Sequence, residues 1–185
     1  RLPVKAEVQR SPSLGGRPLV IAHGAGSRRV VLDASTHAQG VNPGMLLSEA
    51  LSQCKNAILV EPDPVYYRSV FGLALDAIEA LGADVEEENL GHATVQVAGL
   101  ELLYGGEDRL IEALLLAVPR FLAPRIGVGP SKFVASVAAH QAKPGHSSRA
   151  PSDLQAFLDP LPVNLLPVPW QTIAKLHGFG LRTLG

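Results

Sequence analysis

Apolar and polar residues alternate with different periods along the chain, and each period predicts an element. Two short apolar runs enclose the glycine-containing segment 23–27, which predicts a strand–turn–strand unit over residues 17–33. Apolar residues at helical spacing predict helices over residues 45–53, 65–81, 108–121, 131–142, 151–158 and 171–177. Further strands are predicted over residues 57–60, 93–103 and 125–128. Because helices and strands mix without a regular βαβ alternation, we expect an α+β fold, an antiparallel sheet with helices on one face.

Two polar segments lie between these elements. The run Glu86-Glu87-Glu88 forms no acid pair that suggests catalysis, and it is expected to be a solvated turn. Residues 146–153 combine polar residues with proline and serine, and this composition predicts a linker. The residues after it are expected to form a small all-helical piece.

Composition and charge describe an ordinary globular protein. Apolar residues make up 46% and charged residues 18% of the chain, and the net charge of -1 gives no overall field that attracts nucleic acid. Cys54 is the only cysteine, which excludes a disulfide framework and favours a reducing cytoplasm. No apolar run approaches the roughly 20 residues of a membrane span, so no membrane partner is expected. The chain does not begin with methionine, and we expect it to be a piece of a longer protein.

The most informative stretch runs from Gly127 to Gly145 and reads GVGPSKFVASVAAHQAKPG. It predicts a glycine turn, a helix of small apolar residues, and an exit that presents Lys143. The stretch lacks the spacer and the Gly-Lys-Ser/Thr ending of a nucleotide-binding phosphate loop, so its start is expected to be a tight strand-to-helix turn packed through glycine. This order of parts resembles the last palm element of the Y-family DNA polymerases, the translesion enzymes.

Five further motifs resemble the same family and occur in the same order. They are Glu7 with Pro12–Val20, Gly40–Met45 with Glu49-Ala50, Pro62-Asp63 with Tyr67-Arg68, Val85-Glu86, and Phe157–Val163. The resemblance implies a Y-family palm with a small fingers domain and a partial helical thumb. It places the first palm strand, at the extreme N-terminus, and the fingers in residues 1–64. The palm then occupies residues 65–149, and a thumb resembling a helix-hairpin-helix occupies residues 150–185.

The family's catalytic carboxylates do not appear at the corresponding positions. A two-metal polymerase holds its Mg²⁺ ions with carboxylate oxygens. Counted from Glu86, the family's Asp-Glu pair falls on Gly91 and His92, and its first-strand Asp would precede Arg1. Glycine offers no side-chain ligand, and a neutral imidazole is a poor partner for Mg²⁺. The resemblance therefore implies no metal site here.

The positions that clamp the nucleotide in the family are also changed. Its triphosphate-binding Tyr and Arg fall on Ala34 and His37, and its ribose-gating aromatic residue falls on Pro3. Lys143 is the one retained phosphate-binding side chain. The sequence leaves open whether Lys143 contacts phosphate or is a solvated lysine at a helix end.

Two further segments bear on DNA contact. The family's Gly-x-Gly thumb turn, whose backbone N–H groups hold a DNA phosphate, aligns with Pro167-Val168-Pro169, and proline has no N–H to donate. Arg28 and Arg29 lie in a glycine-rich loop and are candidates for contact with a template phosphate. The alternative, a hairpin tip kept soluble by two charges, remains open.

The six histidines do not predict a metal site. His37, His92 and His140 are far apart in sequence and lack the paired spacing of zinc ligands. No metal or other cofactor is therefore expected from them.

The changes taken together resemble the catalytically silent Y-family homologues of bacterial mutasomes, which serve damage-induced (SOS) mutagenesis. The resemblance implies a cytoplasmic, nucleoid-associated DNA-repair adaptor that binds primer–template DNA and uses no cofactor. It further implies a sliding clamp, a RecA-like protein and an error-prone replicative-type polymerase as partners, bound through regions beyond this chain.

Two other functions remain open. One is a divergent active translesion polymerase that binds Mg²⁺ through an aspartate before Arg1 and through Glu87 or Glu88, which requires a register shift in the hairpin. The other is a protein-interaction module that keeps the fold and has lost DNA binding.

Overall fold

The computed structural model covers residues 1–185 and describes all of them except the side chain of Ser27. The chain divides into two units, residues 1–72 and residues 73–185. Helix α3, Pro64–Glu79, begins in the first unit and ends in the second. None of the described helices has the length and apolar character of a membrane span.

The first unit is built on a three-stranded sheet. Strand β1 (Leu19–His23) is central, with β2 (Val30–Ala34) antiparallel on one side and β3 (Ile58–Val60) parallel on the other. The first four residues of β1 are fully buried, as expected for a central strand. Helix α1 (Leu2–Arg10) precedes the sheet, and helix α2 (Leu47–Gln53) lies between β2 and β3. The predicted strand–turn–strand unit and the predicted helix before β3 are confirmed.

The second unit contains two strand pairs and five further helices. Strands β4 (Asp84–Asn89) and β5 (His92–Gln96) form an antiparallel hairpin, whereas β6 (Ile126–Val128) and β7 (Ser147–Arg149) pair in parallel. The helices are α4 (Leu100–Tyr104), α5 (Glu107–Ala117), α6 (Lys132–Gln141), α7 (Leu154–Leu158) and α8 (Trp170–Gly178). Helices α5 and α6 bury the apolar stripes that predicted them, including Leu110, Leu114, Val134 and Val137. The α+β class is confirmed.

The strand predicted at the extreme N-terminus was wrong, because Leu2–Arg10 form helix α1. Pro3 lies in the first turn of this helix, where its fixed φ suits the conformation and its missing N–H costs nothing. The buried carboxylate of Asp33 accepts a hydrogen bond from the N–H of Val4 at 3.2 Å. Asp33 therefore satisfies one backbone donor that the first turn leaves without a helical partner.

The strand predicted over residues 93–103 was wrong in its second half. Strand β5 ends at Gln96, and residues 100–104 form helix α4. Gly99, with φ of +91°, precedes this helix and turns the chain through a left-handed conformation that glycine adopts at little cost. Helix α4 ends at Gly105, also left-handed at φ +75°.

Both polar segments belong to strands, contrary to prediction. Glu86, Glu87 and Glu88 lie within β4, where Glu86 pairs with Thr94 and Glu87 with Ala93. The segment predicted as a linker contains β7, whose residues 147–149 pair with β6. Neither segment has an apolar pattern of its own. Each forms a strand because its backbone pairs with another strand, β4 with β5 and β7 with β6.

Candidate functional site

Gly91 and His92, the two positions predicted for the family's acidic pair, lie at the tip of the β4–β5 hairpin. Asn89 pairs with His92, which leaves Leu90 and Gly91 as the two-residue turn. Gly91 has φ of +83°, a conformation that L side chains adopt only with strain. The side chain of His92 is exposed at the first position of β5. The tip therefore presents a glycine required by its backbone and a solvent-exposed imidazole.

The acidic residues of β4 are engaged by a lysine from α6. The Nζ of Lys132 lies 2.6 Å from Oε1 of Glu86 and 2.9 Å from Oε1 of Glu88. Thr94 Oγ1 donates a second hydrogen bond to Glu88, at 3.1 Å. Hydrogen bonds from Lys132 and then Thr94 lower the pKa of Glu88, and those to Glu86 and Glu88 raise the pKa of Lys132. Glu88 is thus held ionised by an internal cation.

Within the part of the chain that the structure describes, no three His, Cys, Asp or Glu side chains come together as metal ligands. His37 lies in a turn of the first unit, whereas His92 and His140 lie on β5 and α6 of the second.

Glycine determines the packing of α6 on β6. A Cβ atom at Gly127 would collide with the carbonyl oxygen of Ala135 and the backbone nitrogen of Ala139. At Gly129 it would lie 2.9 Å from the backbone nitrogen of Ala135. Ser131 caps the helix, since its side chain accepts a hydrogen bond from the N–H of Val134. The predicted tight strand-to-helix turn with glycine for close packing is confirmed.

Lys143 is exposed in the segment that connects α6 to β7. Its carbonyl oxygen accepts a hydrogen bond from the N–H of His146 at 3.0 Å, which fixes the backbone of the exit. Its ammonium group has no hydrogen-bond or ion-pair partner among the described residues. Lys143 is therefore available to an external anion, and its contact with phosphate stays a prediction.

The two candidate arginines of the β1–β2 connection differ in their surroundings. Arg29 donates from Nη2 to the carbonyl oxygen of Ala22 at 3.0 Å and to Oε1 of Glu61 at 2.7 Å, and its side chain is 20% exposed. Arg28 is exposed and has no side-chain partner in the described part of the chain. Arg29 therefore fixes the connection internally, and Arg28 is the member of the pair that is free to meet a phosphate.

Two of the three positions that the resemblance assigns to a nucleotide clamp are buried. Pro3 is buried in the first turn of α1, and Ala34 is buried at the end of β2. His37 is exposed in the turn that follows. Burial removes Pro3 and Ala34 from contact with any nucleotide.

The thumb turn offers no free backbone donor. Pro167 and Pro169 have no N–H, and the N–H of Val168 donates to the carbonyl oxygen of Leu166 at 2.8 Å. Helix α8 begins directly after Pro169, and Ile173 on it is buried. The turn therefore has no free N–H group with which to bind a phosphate. The helix after it still packs through a buried residue.

A polar network, buried at Glu7 and Tyr67 and partly exposed at Arg10 and Asp63, joins α1 to the start of α3. Glu7 is 2% exposed and accepts a 2.6 Å hydrogen bond from the hydroxyl of Tyr67. The guanidinium of Arg10 donates to both oxygens of Glu7, at 2.8 and 2.9 Å, and to Oδ2 of Asp63 at 2.8 Å. Arg10 also lies over the ring of Tyr66, 4.9 Å from its centroid. Burial and the bond to Glu7 raise the pKa of Tyr67.

Sequence reasoning placed Glu7 and Tyr67 in separate motifs and missed their contact. The one indication in the sequence was that each of these motifs places a polar residue beside apolar ones. The two residues lie 60 positions apart, so the sequence does not show that they pair.

Acid should weaken this network through Asp63. The N–H of Tyr66 and then the guanidinium of Arg10 lower the pKa of this carboxyl below its usual 3.8. The unfolded chain therefore binds the proton first, and the stabilisation from ionised Asp63 is lost as the pH falls below about 4. We expect Asp63→Asn, which still caps α3, to flatten the acid limb of a plot of unfolding free energy against pH. Asp76→Asn on the same helix is the control, and an equal flattening by both variants would contradict the assignment.

The fold is that of the Y-family DNA polymerases. The structure matches DinB from Sulfolobus solfataricus with a TM-score of 0.72 at 24% identity, over 99% of this chain and 56% of that chain. It matches Dbh DNA polymerase in an insertion ternary complex with a TM-score of 0.74 at 22% identity, over the same shares of the two chains.

Sequence comparison identifies the family to which the chain belongs. The family described as IMS, the impB/mucB/samB family, matches residues 2–140, and the chain belongs to it. The chain is 32% identical over 186 residues to DNA polymerase IV of Caulobacter vibrioides, covering 97% of this chain and 46% of the relative. It is 32% identical over 189 residues to DNA polymerase IV of Xanthomonas campestris pv. campestris, covering 96% and 51%. The chain spans about half the length of these curated relatives.

Proposed function

We propose that this chain is the palm, the fingers and the start of the thumb of a Y-family protein that acts in DNA damage tolerance without adding nucleotides. The observation that carries the proposal is the hairpin tip, which contains Gly91 and His92. These are the two residues on which the resemblance places the family's acidic pair. The DNA polymerase IV relatives support a role in translesion synthesis and DNA repair.

The residues of the tip do not fit Mg²⁺. Two-metal nucleotide transfer needs carboxylate oxygens on both ions, to position the attacking hydroxyl and to stabilise the charge that develops on the phosphate. Gly91 supplies no ligand, and Mg²⁺ prefers oxygen to the nitrogen of His92. Nothing at this tip provides the electrostatic stabilisation on which phosphoryl transfer depends.

The register of the hairpin argues against a divergent active site. Recruitment of Glu87 or Glu88 would require β4 to slide along β5. The observed register pairs Glu87 with Ala93, and Glu88 is held by Lys132 and Thr94. A slide would break both contacts of Glu88 and leave the ammonium group of Lys132 without one of its two carboxylates.

The adaptor role extends the proposal to partners. A protein that has lost nucleotide transfer still contributes by holding primer–template DNA and by recruiting other proteins. We assign contacts with a sliding clamp, a RecA-like protein and an error-prone replicative-type polymerase to parts of the protein outside these 185 residues.

DNA binding is tested by titrating a fluorescent primer–template with the full-length protein at several salt concentrations. We expect the logarithm of the binding constant to fall linearly with the logarithm of the salt concentration. Lys143→Ala should weaken binding several-fold and reduce the steepness of the salt dependence by about one unit, because one phosphate contact is lost. Lys55→Ala, which removes the same charge from an exposed site, is the control. Absence of salt-dependent binding would favour the alternative, a protein-interaction module that no longer binds DNA.

A further inference from the structure

Exposed leucines stand at both ends of a charged strip on helices α4 and α5, within the second unit. Leu102 and Leu103 of α4 are 82% and 79% exposed, and Leu116 of α5 is 67% exposed. A single exposed leucine is common on protein surfaces and needs no explanation. Three such side chains on two adjacent helices are a larger apolar surface, and such surfaces mark interaction sites.

Helix α4 keeps its leucines in solvent because other residues of the helix hold it against the unit. The hydroxyl of Tyr104 donates to the carbonyl oxygen of Leu81 at 2.8 Å, and Leu100 is half-buried. Leu100 and Tyr104 are four residues apart and therefore share one face of the helix. The fold thus uses that face for packing and leaves Leu102 and Leu103 uncovered.

Helix α5 carries two opposite charges between the exposed leucines. Residues three and four apart are neighbours on a helix, so Arg109, Glu112 and Leu116 follow one exposed face. Neither charged side chain has a hydrogen-bond or ion-pair partner among the described residues. The guanidinium of Arg109 lies beside Gly105, since a Cβ built on that glycine would be 3.2 Å from its Nη1. The face therefore presents a cation, an anion and a leucine, in that order.

This order is self-complementary about a twofold axis. If two antiparallel copies of α5 meet midway between Arg109 and Glu112, each arginine faces the glutamate of the other copy. Leu116 of one copy then faces Gly105 of the other, next to the exposed leucines of α4. Gly105 leaves space there because it has no side chain. Contacts in which residue i meets j and j meets i are the usual geometry of homodimers.

We propose that the α4–α5 surface, formed by Leu102, Leu103, Arg109, Glu112 and Leu116, binds a second copy of this chain. Burial of the leucines supplies the affinity. The two reciprocal ion pairs fix the antiparallel register, because a parallel arrangement would bring like charges together. A cation beside an anion suits neither nucleic acid nor an anionic membrane, since both require a surface of positive charge. The inference goes beyond the proposed function and does not depend on it.

Sedimentation equilibrium of the full-length protein at micromolar concentrations tests the proposal. We expect a monomer–dimer equilibrium with a dissociation constant on the order of 10 µM, because so few side chains make a small interface. Leu103→Glu should weaken dimerisation about tenfold, since a charge enters the apolar contact. Leu73→Glu, which places the same charge on an exposed leucine of α3, is the control and should change it less than about twofold.

Exchange of the two charges tests the antiparallel register. Arg109→Glu and Glu112→Arg should each weaken dimerisation about tenfold, because both reciprocal pairs then join like charges. An equimolar mixture of the two variants restores both attractive pairs, so it should form heterodimers within about threefold of the natural affinity. Circular dichroism spectra that match the unchanged protein confirm that each variant is folded.

Three results would overturn the proposal. One is a protein that stays monomeric, which would leave the α4–α5 surface to a different protein. Another is an equal effect of Leu103→Glu and Leu73→Glu, and the third is a charge-exchange mixture that recovers no affinity. Primer–template binding is expected to be unchanged in Leu103→Glu, so this inference and the proposed function fail separately.

Discussion

Replacement of Gly127 by alanine is expected to destabilise the protein by about 3 kcal/mol, although it adds a single methyl group. The added Cβ would collide with backbone atoms of Ala135 and Ala139 in α6. Backbone atoms within a helix cannot rotate away as a side chain can, so α6 must move off β6. That displacement would separate Val134 and Val137 from the core that they share with the strand.

Gly72→Ala is the matched control for this prediction. Gly72 lies inside α3, and a Cβ built on it has no heavy atom within 4 Å. Alanine is the better helix former, so this variant should gain up to about 1 kcal/mol of stability. Urea unfolding followed by circular dichroism measures both changes. A loss below about 1 kcal/mol in Gly127→Ala would contradict the close packing of α6 on β6.

Tyr67→Phe is expected to cost about 2 kcal/mol of unfolding free energy. The hydroxyl of Tyr67 donates to a carboxylate that is almost fully buried, and loss of a hydrogen bond to a charged buried group costs more than loss of a neutral one. The phenyl ring itself is retained, so the cavity term is small. The change should therefore report the hydrogen bond more than the packing.

The neighbouring tyrosine supplies the control. The hydroxyl of Tyr66 has no hydrogen-bond partner among the described residues, although its ring lies under Arg10. Tyr66→Phe keeps that ring and should change the stability by less than about 0.5 kcal/mol. Equal effects of the two substitutions would show that the buried network contributes nothing specific.

Elements with a strong local pattern could be predicted from the sequence. The apolar stripe of α5 and the buried run of β1 are each visible within a dozen residues, and both were predicted with small errors at their ends. The start of α6 could also be predicted, because Gly127, Gly129 and Ser131 carry a turn and a cap in their residue types.

The elements that prediction missed depend on contacts made elsewhere. Strand β4 contains three successive glutamates, and it is a strand because β5 pairs with it and Lys132 neutralises two of those carboxylates. Strand β7 is likewise formed by pairing with β6. Helix α4 was missed because its leucines and tyrosine suit a strand equally well, and Gly99 decides the conformation through its positive φ.

In the candidate site, too, local patterns could be predicted from the sequence and contacts between distant residues could not. Motif spacing alone predicted that Gly91 and His92 occupy the family's metal positions, and this equivalence stays a prediction. The structure places both residues at the tip of the β4–β5 hairpin. Sequence did not reveal that Arg29 is bound to Glu61, because the two residues lie 32 positions apart.

The most direct test of the central claim is primer extension by the full-length protein, first with Mg²⁺ and then with the more permissive Mn²⁺. Undamaged and abasic templates should both be used, at protein concentrations that saturate primer–template binding. Because Gly91 and His92 supply no carboxylate, we predict no extended product with either metal while the DNA remains bound. Template-directed extension would contradict this account and would mean that other carboxylates complete a working metal site.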